Sequence, residues 1–229
     1  YSHGVAFGAE YQWIRVLGTE NIENPSGSTP NDSYGPVGGI TPQVLTVNYS
    51  YVLPFGRGKL LLDSASGFLD KIVSGWQISG ISAFQTGQPF SVTYTAPGTY
   101  TDGSGNKWTN LASGRASVVP GAALYPAQKT RAQWFNPAAF QAPTNAAGIP
   151  GGAYGNSGYD MLRGPRFQDW DMNLQKNIVF KERYRVQLRA DSFNVFNHPN
   201  LNTPNAAISN TSTVGTITST SGTPSYEAR

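Results

Sequence analysis

The chain has 229 residues with 16 Lys and Arg against 13 Asp and Glu, a formal charge of +3, and only 13% charged residues beside 26 Gly and 16 Pro. The absence of cysteine excludes a disulfide-stapled secreted module, a thiol nucleophile and a Cys-ligated metal, and the cations are scattered singly, so no nucleic-acid partner is expected. No stretch approaches the roughly 18 apolar residues of a membrane-crossing helix, but a β-barrel is not excluded, because its strands need only about 9 to 11 residues of alternating character.

From Val5 to Ile14 the residues alternate, with Val5, Phe7, Ala9, Tyr11 and Trp13 on one face and Ala6, Gly8, Glu10 and Gln12 on the other. That period of two predicts a strand. From Val44 to Leu53 the same rhythm sets Leu45, Val47, Tyr49, Tyr51 and Leu53 against Thr46, Asn48 and Ser50, a second strand with an aromatic, apolar face. A third extended region is predicted from Trp76 to about Tyr94, with Gly87 and Pro89 marking a bend or bulge. The fourth, Asp169 to Ile178, sets Trp170, Met172 and Leu174 against Asp169, Asp171, Asn173 and Gln175. The fifth begins at Tyr184, with Val186, Leu188 and Ala190 opposite Arg185, Gln187, Arg189 and Asp191, and a bulge or strand end near Ser192 where Phe193 and Val195 switch phase.

The connections alternate between long and short. Gly18 to Pro42, Ala96 to Arg166 and Asn197 to Pro224 are long and rich in Gly, Pro, Asn, Ser and Thr, whereas Val179 to Arg183 is a few residues. Only Ser64 to Val73, with Phe68, Leu69, Ile72 and Val73, has the spacing of a short helix, and no repeat of fixed length suggests a solenoid or propeller. The fold class is all-β: about five antiparallel amphipathic strands with long Gly/Pro/Asn-rich loops.

Alternation by itself is also what a soluble sandwich shows, since one strand face then meets a second sheet and the other meets water. The polar faces carry large charged side chains, and Tyr and Trp recur near strand ends as interfacial girdles do, which suits an outer-membrane barrel with a water-filled lumen. On that reading Glu10, Asp169, Asp171, Asn173, Arg185, Arg189 and Asp191 face the lumen, and Phe7, Tyr11, Trp13, Val47, Tyr49, Tyr51, Trp170, Leu174, Val186 and Leu188 face lipid or pack.

Sequence patterns for catalysis are poor. His3 and His198 sit beside no nucleophile motif, and Gly56-Arg-Gly-Lys59 lacks the spacing of a phosphate loop and reads as a tight periplasmic turn. Asp169, Asp171 and Asn173 have the opening spacing of a calcium loop, but Leu174 stands where its Gly belongs and Phe180 at its twelfth position. No enzyme, cofactor or metal is expected. Trp108, Trp134, Phe135, Phe140 and Tyr154 in the long loops suit either stacking on a solute or pinning the loop; Trp-Phe-Asn-Pro reads as a turn anchor.

Four segments in order carry a family resemblance: Tyr49-Ser-Tyr-Val-Leu-Pro-Phe-Gly-Arg-Gly-Lys59; Gly75 through Phe90; Trp134-Phe-Asn-Pro-Ala-Ala-Phe140 with Gly155-Asn-Ser-Gly158 and Leu162-Arg-Gly-Pro165; and Asp169 through Pro199, ending Phe193-Asn-Val-Phe-Asn-His-Pro199. Together they resemble the C-terminal barrel of Oar-like TonB-dependent receptors, the carboxypeptidase-regulatory-like-domain type of soil bacteria such as acidobacteria. The resemblance implies a segment of an outer-membrane transport barrel of the class with about 22 strands, no plug domain, and a terminal strand missing where Tyr226-Glu-Ala-Arg229 ends the chain. It implies as partners the rest of the barrel and plug, the TonB system and outer-membrane lipid. Five strands cannot close around a lumen, so the alternative expectation is a cleaved fragment whose strand edges pair with other copies in an extracellular filament or tube. A soluble β-sandwich binding module is the third reading. The transported substrate is not legible.

Overall fold

The computed structural model describes residues 4–19, 34–180 and 184–221. His3, the 20–33 part of the first long connection, residues 181–183 of the short turn, and the C-terminal segment with Tyr226 to Arg229 lie outside the described residues.

Two compact units make up the chain. The first is a five-stranded antiparallel sheet, built from β1 (Val5–Trp13), β2 (Gln43–Val52), β3 (Trp76–Gln85), β4 (Phe167–Phe180) and β5 (Tyr184–Ser192). The strands lie side by side in chain order, so every connection joins neighbours and the sheet is a meander. The fold is all-β, as the alternation predicts. Four strands have 9 or 10 residues and β4 has 14, which spans the length a tilted membrane strand requires. Among the described residues β1 and β5 pair on one side only, leaving the sheet open at both edges.

The third strand is shorter than the sequence predicts. It ends at Gln85, and the residues after it belong to the second unit, where Pro89–Phe90 pair with Leu162–Arg163 and Thr93–Tyr94 pair with Gly114–Arg115. Gly87 is the reason for the break: a Cβ there would lie 1.9 Å from the Gly164 carbonyl oxygen, an approach only glycine permits. The fifth strand stops at Ser192, where Asn194 turns into the left-handed region at φ 45° and donates its amide to Asp171 at 2.9 Å. The phase switch at Phe193 is thus a strand end, not a bulge.

Among the described residues the one α-helix, α1 (Gly67–Val73), falls inside the Ser64–Val73 window. Before it, Gly56-Arg-Gly-Lys59 forms a tight turn: Lys59 N–H donates to the Gly56 carbonyl at 3.0 Å, Arg57 N–H to Asp70 at 2.8 Å and Gly58 N–H to Asp63 at 2.8 Å.

The second unit gathers residues 14–42, 86–166 and 200–229, the segments between and after the long strands. The sequence reading treats these as loops, yet they share a core of Phe90, Val92, Ala116, Phe135, Ala139, Phe140 and Leu162. Its strands are only two or three residues long, so shape comes from turn chemistry and aromatic packing. Phe135, fully buried, touches Phe90 and Phe140 with ring centroids 5.9 and 5.8 Å away. Asn136 caps the 3-10 turn Pro137–Ala139 by accepting the Ala138 amide, while the Trp134 indole donates to the Arg163 carbonyl at 2.8 Å. These contacts bear out the reading of Trp-Phe-Asn-Pro as an anchor.

Trp108 is pinned likewise, its indole donating to Asp102 at 3.1 Å. The Asp102 carboxylate also accepts from the Ser104 and Asn106 amides and the Asn106 side chain. Those donors, the Trp108 indole foremost, hold its pKa at about 2. Tyr154 is different, remaining exposed at 42%.

Candidate functional site

Side chains directly opposite one another on paired strands share a face of the sheet, so the register sorts the whole five-stranded sheet into two surfaces. One row runs Phe7, Tyr49, Gly80, Met172, Ser192, and the next runs Val5, Tyr51, Ile78, Leu174, Ala190. Ala9, Val47, Ser82 and Trp170 make a third, Tyr11, Leu45, Phe84 and Gln168 a fourth. At the far end Lys176, Ile178 and Phe180 stand beside Leu188, Val186 and Tyr184. All ten residues predicted as lipid-facing or packing, namely Phe7, Tyr11, Trp13, Val47, Tyr49, Tyr51, Trp170, Leu174, Val186 and Leu188, therefore lie on one continuous apolar face.

That face is uncovered. Phe7 is 78% and Trp13 73% exposed, and Tyr11, Tyr184, Val186 and Leu188 are exposed as well. β1 alone advances about 27 Å at ~3.4 Å per residue, comparable with the apolar band of about 25 Å around an outer-membrane barrel once strand tilt is allowed for. An apolar patch of this extent facing water would be costly and sticky.

Within the face, large rings cover small residues. The Tyr49 ring lies over Gly80, where a Cβ would come within 2.6 Å of the Tyr49 hydroxyl oxygen and 2.4 Å of the Asp171 carbonyl oxygen. The arrangement fills a glycine gap with an aromatic from the neighbouring strand. Phe84, Trp170 and Phe196 form an edge-to-face ladder, with centroids 5.4 Å apart at each step.

One cation interrupts the apolar face, and the sequence reading misses it. Lys176 takes the position of β4 opposite Leu188, yet it is buried because its amine bends back to donate to the Ile72 and Ser74 carbonyls and rests 5.1 Å from the Trp76 ring centre. Its long stem lies on apolar surface while backbone carbonyls, not water, satisfy its charged head. The signal was Lys176 in the apolar phase of an otherwise clean alternation.

The opposite face is predominantly polar, with Val44, Val52, Ile81 and Val179 among its apolar members. Glu10 pairs with Thr46, Asn173 with Asp191, and Asp169 with Ala83, while Arg185 and Arg189 extend the face along β5. All seven residues predicted as lumen-facing, Glu10, Asp169, Asp171, Asn173, Arg185, Arg189 and Asp191, share it. Gln77 donates to Ser50 at 2.7 Å, Ser79 to Ser50 at 3.2 Å, and Gln187 to Asn177 at 3.1 Å. Arg189 and Asp191, two apart on β5, form an exposed pair at 2.7 Å.

Asp169 departs from the expectation of a solvated carboxylate, being 3% exposed. It neighbours Asp171 and Asn173 only at the two-residue steps of an extended strand, about 7 Å each, and Asp171 is occupied by the Asn194 amide. This is a polar stripe without the convergence that an ion needs. Among the described residues no three His, Asp or Glu side chains come together as a metal site.

No curated protein and no solved structure matches the chain. A family model described as an outer membrane beta barrel domain matches residues 1–229. With one face apolar and bare, the other polar and hydrogen-bonded, and that match running over the full length, the chain belongs to the outer membrane β-barrel domain family and is a protein of the outer membrane.

Proposed function

We propose that this chain is part of the barrel of a TonB-dependent transporter, which passes a solute across the outer membrane without chemistry on it. The observation that carries the reading is the sorting of the sheet into one predominantly apolar face and one predominantly polar face, as a wall between lipid and a watery lumen requires. The four motif segments resembling Oar-like receptors narrow the family to this transport class. Two open edges suit insertion between further strands of a large barrel, since closure alone removes edges. Glu10, Arg185, Arg189 and Asp191 then hydrate the lumen, the long connections face outside, and the short ones face the periplasm.

The partners on this reading are the remaining barrel strands, a plug, the TonB system and lipid. Uptake of labelled candidate solutes is to be compared in native cells with and without this gene, each with TonB active or disabled. Uptake that needs both the gene and TonB is the expected result. Uptake that needs the gene but persists without TonB would sink energised transport and leave a passive pore.

A further inference from the structure

We propose that residues 53–75, the connection between β2 and β3, form a lipid-binding foot that lies in the membrane interface and takes a phospholipid acyl chain in an apolar cleft beside the sheet. The inference rests on the barrel reading and names a site that the reading does not require.

The connection is far greasier on its surface than a periplasmic turn needs to be. Leu60 is 84% and Phe68 79% exposed, and Leu61, Leu62, Leu69 and Ile72 are exposed too. Six large apolar side chains within one short segment are not isolated surface residues of the ordinary kind. In water they would be a liability; in an interface they are an anchor.

Between this segment and the sheet lies a cleft of about 450 Å³, lined by Leu53, Phe55, Leu62, Ile72, Trp76 and Leu174 among others, all apolar. Leu174 belongs to the uncovered apolar face, so the cleft and that face are one continuous surface. An occupant entering from the bilayer crosses no polar boundary.

The polar groups mark the depth. Trp76 turns its indole N–H to the Ile72 carbonyl at 2.9 Å, and Lys176 brings its amine to the same carbonyl and to that of Ser74. Lys71 stands 5.4 Å from the Phe180 ring centre. A tryptophan, lysines packed on aromatic rings and a terminal aromatic gathered at this end of the sheet are what a headgroup boundary selects. Arg57 and Lys59 are exposed on the preceding turn, while Asp63 and Asp70 are engaged by the Gly58 and Arg57 amides. Arg57, Lys59 and Lys71 thus put exposed cations for a phosphate on the same connection whose apolar residues line the cleft. The occupant is a phospholipid because this end of the sheet also carries the short β4–β5 turn, which places it on the periplasmic side.

The chain has no cysteine, so single substitutions give clean spin labels. Leu61→Cys, Phe68→Cys and, as the control on the sheet, Leu188→Cys are labelled in the full chain inserted in phosphatidylethanolamine–phosphatidylglycerol vesicles. Collision with oxygen is compared with collision with a water-soluble nickel chelate. The expected result is that labels at 61 and 68 favour oxygen as strongly as the label at 188. Labels at 61 and 68 that favour the nickel chelate while 188 favours oxygen would overturn the foot and leave the barrel standing. Labels at 61 and 68 shielded from both reagents would show a protein partner covering this connection and overturn it equally. If all three favour the nickel chelate, the barrel reading falls and the foot with it.

Discussion

The sheet and the loop-derived unit follow opposite rules of burial. Of the buried apolar residues among those described, Ala65 and Ala83 alone belong to the sheet unit, whereas Phe90, Val92, Ala116, Phe135, Ala139, Phe140, Ile149, Leu162 and Ile217 belong to the other. The large exposed apolar side chains distribute the other way: Phe7, Trp13, Phe68, Leu188 and Phe196 are in the sheet unit. One unit is built by the ordinary hydrophobic effect in water, with aromatic rings closed on each other. The other leaves its apolar side chains bare on one face, as contact with lipid would require, and satisfies its backbone through strand pairing.

The sharpest way to break this comparison is to hollow out the loop-derived core. Phe135→Ala is expected to destabilise that unit by about 3–5 kcal/mol while leaving the sheet intact. Hydrogen exchange in membranes reads both at once; equal loss of protection in β1–β5 would show that the two fold as one.

Charge on the bare face tests its solvent. Tyr49→Arg is expected to cost about 2–4 kcal/mol in a bilayer at mid-depth, against near zero for Asn48→Arg on the polar face. Urea titration in lipid vesicles compares them, and matching midpoints would mean that neither face meets lipid. Gly80→Val sharpens the same point on a smaller scale. It crowds both the Tyr49 ring and the Asp171 carbonyl of β4 and is expected to cost about 1–3 kcal/mol or more, only partly relieved in the double variant with Tyr49→Ala, because the carbonyl stays.

In the loop-derived unit, pH acts through Asp102. Its pKa is depressed to about 2, so the turn it holds is fully supported above the unfolded carboxylate value of about 3.9 and loses that support as pH falls through about 2. Exchange of the Ser104 and Asn106 amides, corrected for intrinsic rates, is expected to quicken over that window, and Asp102→Asn to remove the dependence. The smallest effect is expected at the exposed Arg189–Asp191 pair, where Asp191→Asn changes stability by less than about 1 kcal/mol.

Most of the sheet was legible in the residue order because one of its faces is predominantly apolar and the other predominantly polar. A strand with lipid on one side and water on the other must alternate strictly, so Val5 to Trp13 and Val44 to Val52 announce themselves without reference to any partner. The ten apolar and seven polar site residues fell on the two faces for the same reason. Legibility failed where a third environment entered: Lys176 breaks the alternation because carbonyls from the β2–β3 connection receive its amine, and Asp169 is buried though its type and phase suggest water.

The loop-derived unit was hidden because it has no period. Its core joins Phe90, Ala116, Phe135 and Leu162 across wide sequence separations, through two-residue pairings too short to leave a pattern. Trp-Phe-Asn-Pro was readable as an anchor because cap and turn chemistry are local; what it anchors to was not. By itself the sequence determined the all-β class, the strand phases and which residues share a face, since period two follows from backbone geometry alone. Only the tertiary structure decided where β3 ends, that the long connections fold around a core of their own, and that the β2–β3 segment leaves a cleft open beside the apolar face, because each depends on contacts between residues far apart in the chain.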